Sequence, residues 1–275
     1  MKTNKTAFCF TGEGARGSIQ AGISLSLFEK EIVPDLTIGI SSGSICSASY
    51  AYLGANGVAQ MWSDIRNIFD VFGFNFFPWG KTGILNQKPM DKIVSRALKN
   101  KPICESIVSK LNINTGEMAY VSNRASTDAN FKESILSSVA ITGLVEDRYG
   151  WVDAGSRQLA PLKQCVDLGY EKIYVIMGRP LTLSYWPGPT GMLKPLEMAF
   201  RAFDISLFEI MIRDINQCIN DSKLNDVEFF LVEPNELLFD SIYFSKCKLG
   251  VEYGKKEYKI HDRKSMRGLI SKILN

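Results

Sequence analysis

Residues 6–17 read Thr6-Ala7-Phe8-Cys9-Phe10-Thr11-Gly12-Glu13-Gly14-Ala15-Arg16-Gly17, and the two halves of that stretch want different structures. The run from Thr6 to Thr11 is short and apolar, the profile of a buried strand. Glycines at 12, 14 and 17 then turn the chain, and apolar residues at Ile19, Ile23 and Leu27 follow at helical spacing. The product is strand, glycine turn, helix. Residues Leu36 to Ile40 repeat the arrangement, passing through Gly39 and Gly43 into the helix-like run Ile45 to Leu53. Two successive units of this kind predict an α/β fold with a mainly parallel central sheet.

The alternation continues. Ala119 to Ser122, Trp151 to Val152, Ile173 to Met177 and Val227 to Val232 read as strands, separated by helical stretches at Met90 to Lys99, Lys132 to Val139 and Leu193 to Ile219. No repeat, low-complexity tract or Pro/Gly/Ser-rich linker divides the 275 residues, so they read as one domain, 1–275. A hydrophobic content of 45% with 22% charged residues suits a chain that buries a real core.

The sharpest chemical signal is Gly39-Ile40-Ser41-Ser42-Gly43, a G-x-S-x-G where a strand turns into a helix. Such an elbow exposes a serine hydroxyl at the sheet edge and beside a helix N-terminus, which makes Ser41 the candidate nucleophile. Upstream, Gly12-Glu13-Gly14-Ala15-Arg16-Gly17 is formally G-x-G-x-x-G. As a dinucleotide fingerprint it needs an acidic residue at the end of the second strand. That place holds Gly39-Ile40-Ser41, and Asp35 stands at the strand's other end. As an oxyanion loop, the same glycines aim backbone amides at one point, where an acyl intermediate bears its charge.

A nucleophilic serine needs a base. His261 is the one histidine, and its neighbours Lys259, Asp262, Arg263 and Lys264 give it the look of an exposed helix start. Asp153, in Trp151-Val152-Asp153-Ala154-Gly155, ends a short apolar strand and precedes small residues that admit another chain segment. It is the better candidate.

The glycine loop, the G-x-S-x-G elbow and Asp153-Ala154-Gly155, in that order, together with Ser138-Val139-Ala140-Ile141-Thr142-Gly143-Leu144, resemble the signatures of the patatin-like phospholipase family over residues 6–235. The resemblance implies a three-layer fold with helices on both faces of the sheet. It also implies a lipid acyl hydrolase of the phospholipase A or lysophospholipase type, without cofactor, metal or catalytic histidine. Ser41 would then be the nucleophile, Asp153 the base, Gly39 and Gly43 the glycines of the elbow, and residues Gly12, Glu13, Gly14, Ala15, Arg16 and Gly17 the oxyanion loop, with Arg16 ordering it. Glu13 and Ala154 stand where the family commonly has glycine, and Thr142 where it has proline. A carboxylate at 13 would oppose an oxyanion unless it points away or pairs with Arg16. The competing readings are a dinucleotide-binding oxidoreductase and a catalytically silent lipid-binding member.

Lysine plus arginine total 32 against 29 acidic residues, a net charge of +3 that gives no reason to expect nucleic acid as partner. The excess is local: residues 246–275 hold nine basic and three acidic residues, within a basic, helical C-terminal region, 236–275. That region predicts attraction to anionic membranes, or a helix whose Met266, Leu269, Ile270 and Ile273 dock on the domain while its lysines face solvent. No signal peptide or spanning segment is visible, which predicts a cytoplasmic protein, peripheral at most to membranes. Six cysteines without a C-x-x-C read as reduced thiols. The aromatic stretch Ile68 to Gly80 is expected as core beneath a loop, with an acyl-chain wall or membrane-dipping lid as the other reading, and Leu183 to Gly191 reads as a loop that caps the site or as a rigid surface turn.

Overall fold

The computed structural model describes residues 5–77, 79–183, 186, 188 and 194–274. The first unit forms as expected, with β1 (Thr6–Phe10) and α1 (Gly17–Glu29), followed by β2 (Leu36–Gly39) and α2 (Ser42–Ser63). A small hairpin of β3 (Gly73–Phe74) and β4 (Leu85–Asn86) leads to α3 (Lys88–Ala97), β5 (Glu105–Asn112), β6 (Met118–Ser122) and α4 (Asp128–Ser138). The remainder is β7 (Trp151–Val152), α5 (Leu162–Asp167), β8 (Lys172–Ile176), α6 (Lys194–Asn220), β9 (Glu228–Pro234), α7 (Cys247–Lys256), β10 (Tyr258–Asp262) and α8 (Arg263–Leu274).

The main sheet runs β10-β9-β8-β1-β2-β5-β6, with β7 paired to β5. Its five central strands are parallel, and β6, β7 and β10 are antiparallel edges. Alternation along β1 builds both cores. Phe8 and Phe10 face the core under α1, α2, α3, α4 and α7, while Ala7 and Cys9 face the one under α5, α6 and α8. The result is a mixed, mostly parallel sheet flanked by helices.

Two of the departures from expectation bear on the site. Strand β5 went unread because Ser106, Ser109 and Lys110 interrupt its apolar run. Both serines are nonetheless buried, Ser106 against the Ser47 hydroxyl at 2.8 Å and Ser109 on the Gly39 carbonyl at 3.4 Å. The second departure corrects the reading of His261, which stands in β10 rather than at a helix start and pairs opposite Leu231. The helix begins after it, with Asp262 accepting the Ser265 amide at 2.8 Å, and it buries Met266 and Ile270 as expected, leaving Lys264 and Lys272 exposed.

Phe8 is fully buried and touches Phe10, Tyr50 and Tyr174 edge-on. Phe8→Ala is therefore expected to lower the unfolding free energy by about 3–5 kcal/mol in urea titration. A loss below about 1 kcal/mol would contradict this packing.

Candidate active site

The elbow after β2 is as sharp as its sequence demands. Ser41 has φ 55° and ψ −130°, a region costly for a residue with a Cβ. The turn closes only because its flanks are glycine. A Cβ on Gly39 would lie 2.0 Å from the Gly43 carbonyl oxygen, and one on Gly43 would lie 2.3 Å from that of Phe10.

The strained residue is held by a ring of serines. The Ser41 amide donates to Ser138 Oγ at 3.0 Å, and Ser138 and Ser44 share a hydrogen bond of 2.7 Å. Ser44 spends its own proton on the Gly39 carbonyl at 2.8 Å. The Ser138 hydroxyl must therefore donate to Ser44, and the chain of bonds starts and ends on the elbow.

The same end of α4 places Asp153. Two residues beyond Ser138, the Ala140 carbonyl accepts the Asp153 amide at 3.0 Å. Ser41 and Asp153, more than a hundred positions apart in sequence, are thus fixed to chain atoms that are sequence neighbours. Asp153 Oδ1 accepts the Gly155 amide at 2.8 Å. Burial raises the Asp153 pKa from 3.8 to about 6, an upward push that hydrogen bonds from the Ser41 hydroxyl and the Gly155 amide only partly offset. No cation is among these influences.

The glycine loop lies beside this pair, and its amides are not equivalent. Glu13 donates its amide to Ser42 Oγ at 2.9 Å, Ala15 to the Ser241 carbonyl at 2.7 Å, Arg16 to the Glu13 carbonyl at 3.3 Å, and Gly17 to the carbonyls behind it. This corrects the expectation of a donor run across residues 12–17: of the loop amides, only those of Gly12 and Gly14 are without an acceptor among the described residues. The Ser42 amide is likewise uncommitted. Sequence reasoning passed over it, although the residue after an elbow nucleophile is a regular donor position.

Glu13 meets the condition set for it. Its φ is −148°, so no left-handed backbone is required. The buried side chain accepts from Thr11 Oγ1 at 2.6 Å and from the Gly178 amide at 2.9 Å, and stands 4.0 Å from Arg16. Burial raises its pKa, opposed chiefly by Arg16 and Arg179. Arg16 is itself buried, donates Nε to the Phe239 carbonyl at 2.9 Å and lies 3.6 Å from both Asp204 and Asp240, so it fastens the loop to distant segments.

Ser41, Asp153, Gly12 and Gly14 open into a cavity of about 670 Å³ whose wall includes Ile45, Leu85, Met90 and Leu144. Its size and apolar wall suit a hydrocarbon chain. His261 is elsewhere, its Nε2 2.9 Å from Glu233 Oε1. Trp186 and Gly188 line the cavity, whereas Tyr185, Pro187 and Pro189 of the expected cap lie outside the described residues.

A family model described as Patatin-like phospholipase matches residues 8–175, more than half of the sequence. The chain belongs to the patatin-like phospholipase family. Among solved structures, the crystal structure of VipD from Legionella pneumophila aligns with a TM-score of 0.46 and 12% identity, over 98% of this chain and 67% of that one. No curated protein matches. Membership of the patatin-like phospholipases supports a lipid acyl hydrolase in general.

The Asp153 environment has a consequence for stability. Unfolded, this carboxyl releases its proton near its ordinary value of 3.8, and folded near 6. Between those values the unfolded chain binds fewer protons, so the Asp153 contribution to stability falls as pH rises through the window and is flat above it. Asp153→Asn should therefore be more stable than the parent by about 2–3 kcal/mol at pH 8, with the difference shrinking toward zero near pH 4. An equal difference at both pH values in urea titration would contradict it.

Proposed function

We propose that this patatin-like chain is a serine carboxylic ester hydrolase acting on phospholipid or another acyl-ester lipid, with Ser41 as nucleophile and Asp153 as its base. One observation carries the reading: a serine in a strained elbow and a buried carboxylate, which has no cation beside it among the described residues, line the wall of the same largely apolar cavity.

In the first half-reaction Ser41 Oγ attacks the ester carbonyl while Asp153 takes the hydroxyl proton. The carbonyl oxygen gains the negative charge, and the amides of Gly12, Gly14 and Ser42, which have no acceptor among the described residues, are the donors this reading assigns to it. Collapse expels the alcohol part of the lipid, which receives the proton from Asp153, and leaves the acyl group on Ser41. Water, deprotonated by Asp153, then releases the fatty acid and restores the serine. A carboxylate of ordinary pKa is a poor base for this work. One near 6 holds a proton more firmly and is still ionised at neutral pH.

The dinucleotide reading loses ground on the same geometry. Asp35, the nearest acidic candidate for a ribose, accepts the Thr6 amide at 2.9 Å at the opposite end of β1 from the glycine loop.

Turnover of a soluble short-chain ester should vanish in Ser41→Ala and fall by at least about 10³-fold in Asp153→Asn. His261→Ala should retain most of it. Loss of turnover in His261→Ala, or survival in Ser41→Ala, would overturn the reading.

A further inference from the structure

The β3–β4 hairpin corrects the expectation of a buried aromatic core. Phe72 is buried, but Phe69 and Phe74 are at least half exposed, Phe76 and Phe77 are each 81% exposed and Trp79 is 89% exposed. Loop tips ordinarily carry small or polar residues, and a cluster of bare aromatic rings in water marks a surface that something apolar covers.

The base of the hairpin is firmly pinned. Asn75 donates its amide to the Ile84 carbonyl at 2.9 Å and its side chain to Gly83 at 3.0 Å, and the Leu85 amide donates to Leu144 at 2.9 Å. Between Phe74 and Gly80 there is no charged residue.

The position of the patch identifies its occupant. The hairpin is rooted in the cavity wall, since Ile68, Val71, Phe72 and Leu85 all line the cavity that holds Ser41. Two other stretches bring exposed apolar side chains to the same cavity: Ile242 and Tyr243, each 50% exposed, and Phe203, 43% exposed. Phe72 meets Phe244 edge-on at 6.2 Å and so ties the first stretch to the second. Exposed Lys246 and Lys248 follow directly, the charge expected where head groups begin. A protein docked over this apolar mouth would shut the site. A bilayer would feed it.

We infer that the cavity mouth docks on the lipid–water interface of a membrane, with Phe76, Phe77 and Trp79 inserted at the level of the head groups and upper acyl chains. This rests on the lipid acyl hydrolase reading of the same cavity. Amphipathic Trp and apolar Phe are the side chains that partition most readily at that depth. An acyl chain then passes from the bilayer into the cavity along an apolar path, without crossing water.

The test compares the full chain with Phe76→Ser/Phe77→Ser/Trp79→Ser in sedimentation with phosphatidylcholine vesicles, with and without phosphatidylserine. The triple variant should partition at least about tenfold more weakly onto both compositions, while hydrolysing a soluble short-chain ester as the parent does, because none of the three residues lines the cavity. In the otherwise native chain, brominated phosphatidylcholine should quench tryptophan emission, and Trp79→Phe should reduce that quenching while leaving binding intact. Equal partitioning of the triple variant and the parent would overturn the inference. So would a parent that ignores vesicles, which would point to a protein partner for the patch, or quenching unaffected by Trp79→Phe. Failure of the hydrolase reading would look different: no ester turned over by the parent, with vesicle binding still dependent on the three aromatics.

Discussion

The site depends on two hydrogen bonds offered by one short piece of chain. Ser138 Oγ accepts the Ser41 amide, and the Ala140 carbonyl accepts the Asp153 amide. Everything between residues 41 and 153 is closed into a loop whose two ends are set by the C-terminus of α4. The separation of hydroxyl and carboxylate is therefore governed by local geometry at the end of α4, and not by the accumulated placement of the five strands and three helices between them. The serine ring adds a second constraint, since the proton of Ser44 is spent on Gly39 and that of Ser138 on Ser44. Ser138 is left facing Ser41 as an acceptor only, the role that a backbone amide with a strained φ requires.

Burial raises the pKa of two carboxylates near the elbow, but their surroundings differ. Glu13 Oε1 accepts from the Thr11 hydroxyl and the Gly178 amide, and the charges of Arg16 and Arg179 act on the carboxylate from nearby. Asp153 has one backbone amide and the serine hydroxyl, with no cation. Burial without a counter-charge among the described residues leaves it with an appetite for a proton, and Ser41 lines the same cavity wall. The contrast explains how a chain can carry an acidic residue within its glycine loop and still leave the amides of Gly12, Gly14 and Ser42 without an acceptor among the described residues.

Much of this was legible in the sequence because the constraints are steric. Gly39 and Gly43 have to be glycine for the turn to close, and the apolar positions of β1 and β8 have to alternate between two cores, so both leave a mark. What stayed hidden was carried by residues whose type does not announce their role. Ser106 and Ser109 are polar yet buried in β5, satisfied by partners from α2 and β2, and so they concealed a central strand. Which loop amides are free depends on acceptors as remote as Ser241, which no local pattern contains. The aromatic stretch misled for a third reason: side chains that usually make a core stand on a pinned hairpin in solvent, where composition and function part company.

The central claim is that a buried carboxylate with a raised proton affinity activates the elbow serine, and the direct measurement is the rate at which a fluorophosphonate modifies Ser41 as a function of pH. The rate should climb through a midpoint of about 6 and level off above it, with Asp153→Asn abolishing both the climb and most of the rate. Modification that proceeds equally in Asp153→Asn, or that shows no titration between pH 5 and 7, would contradict the account.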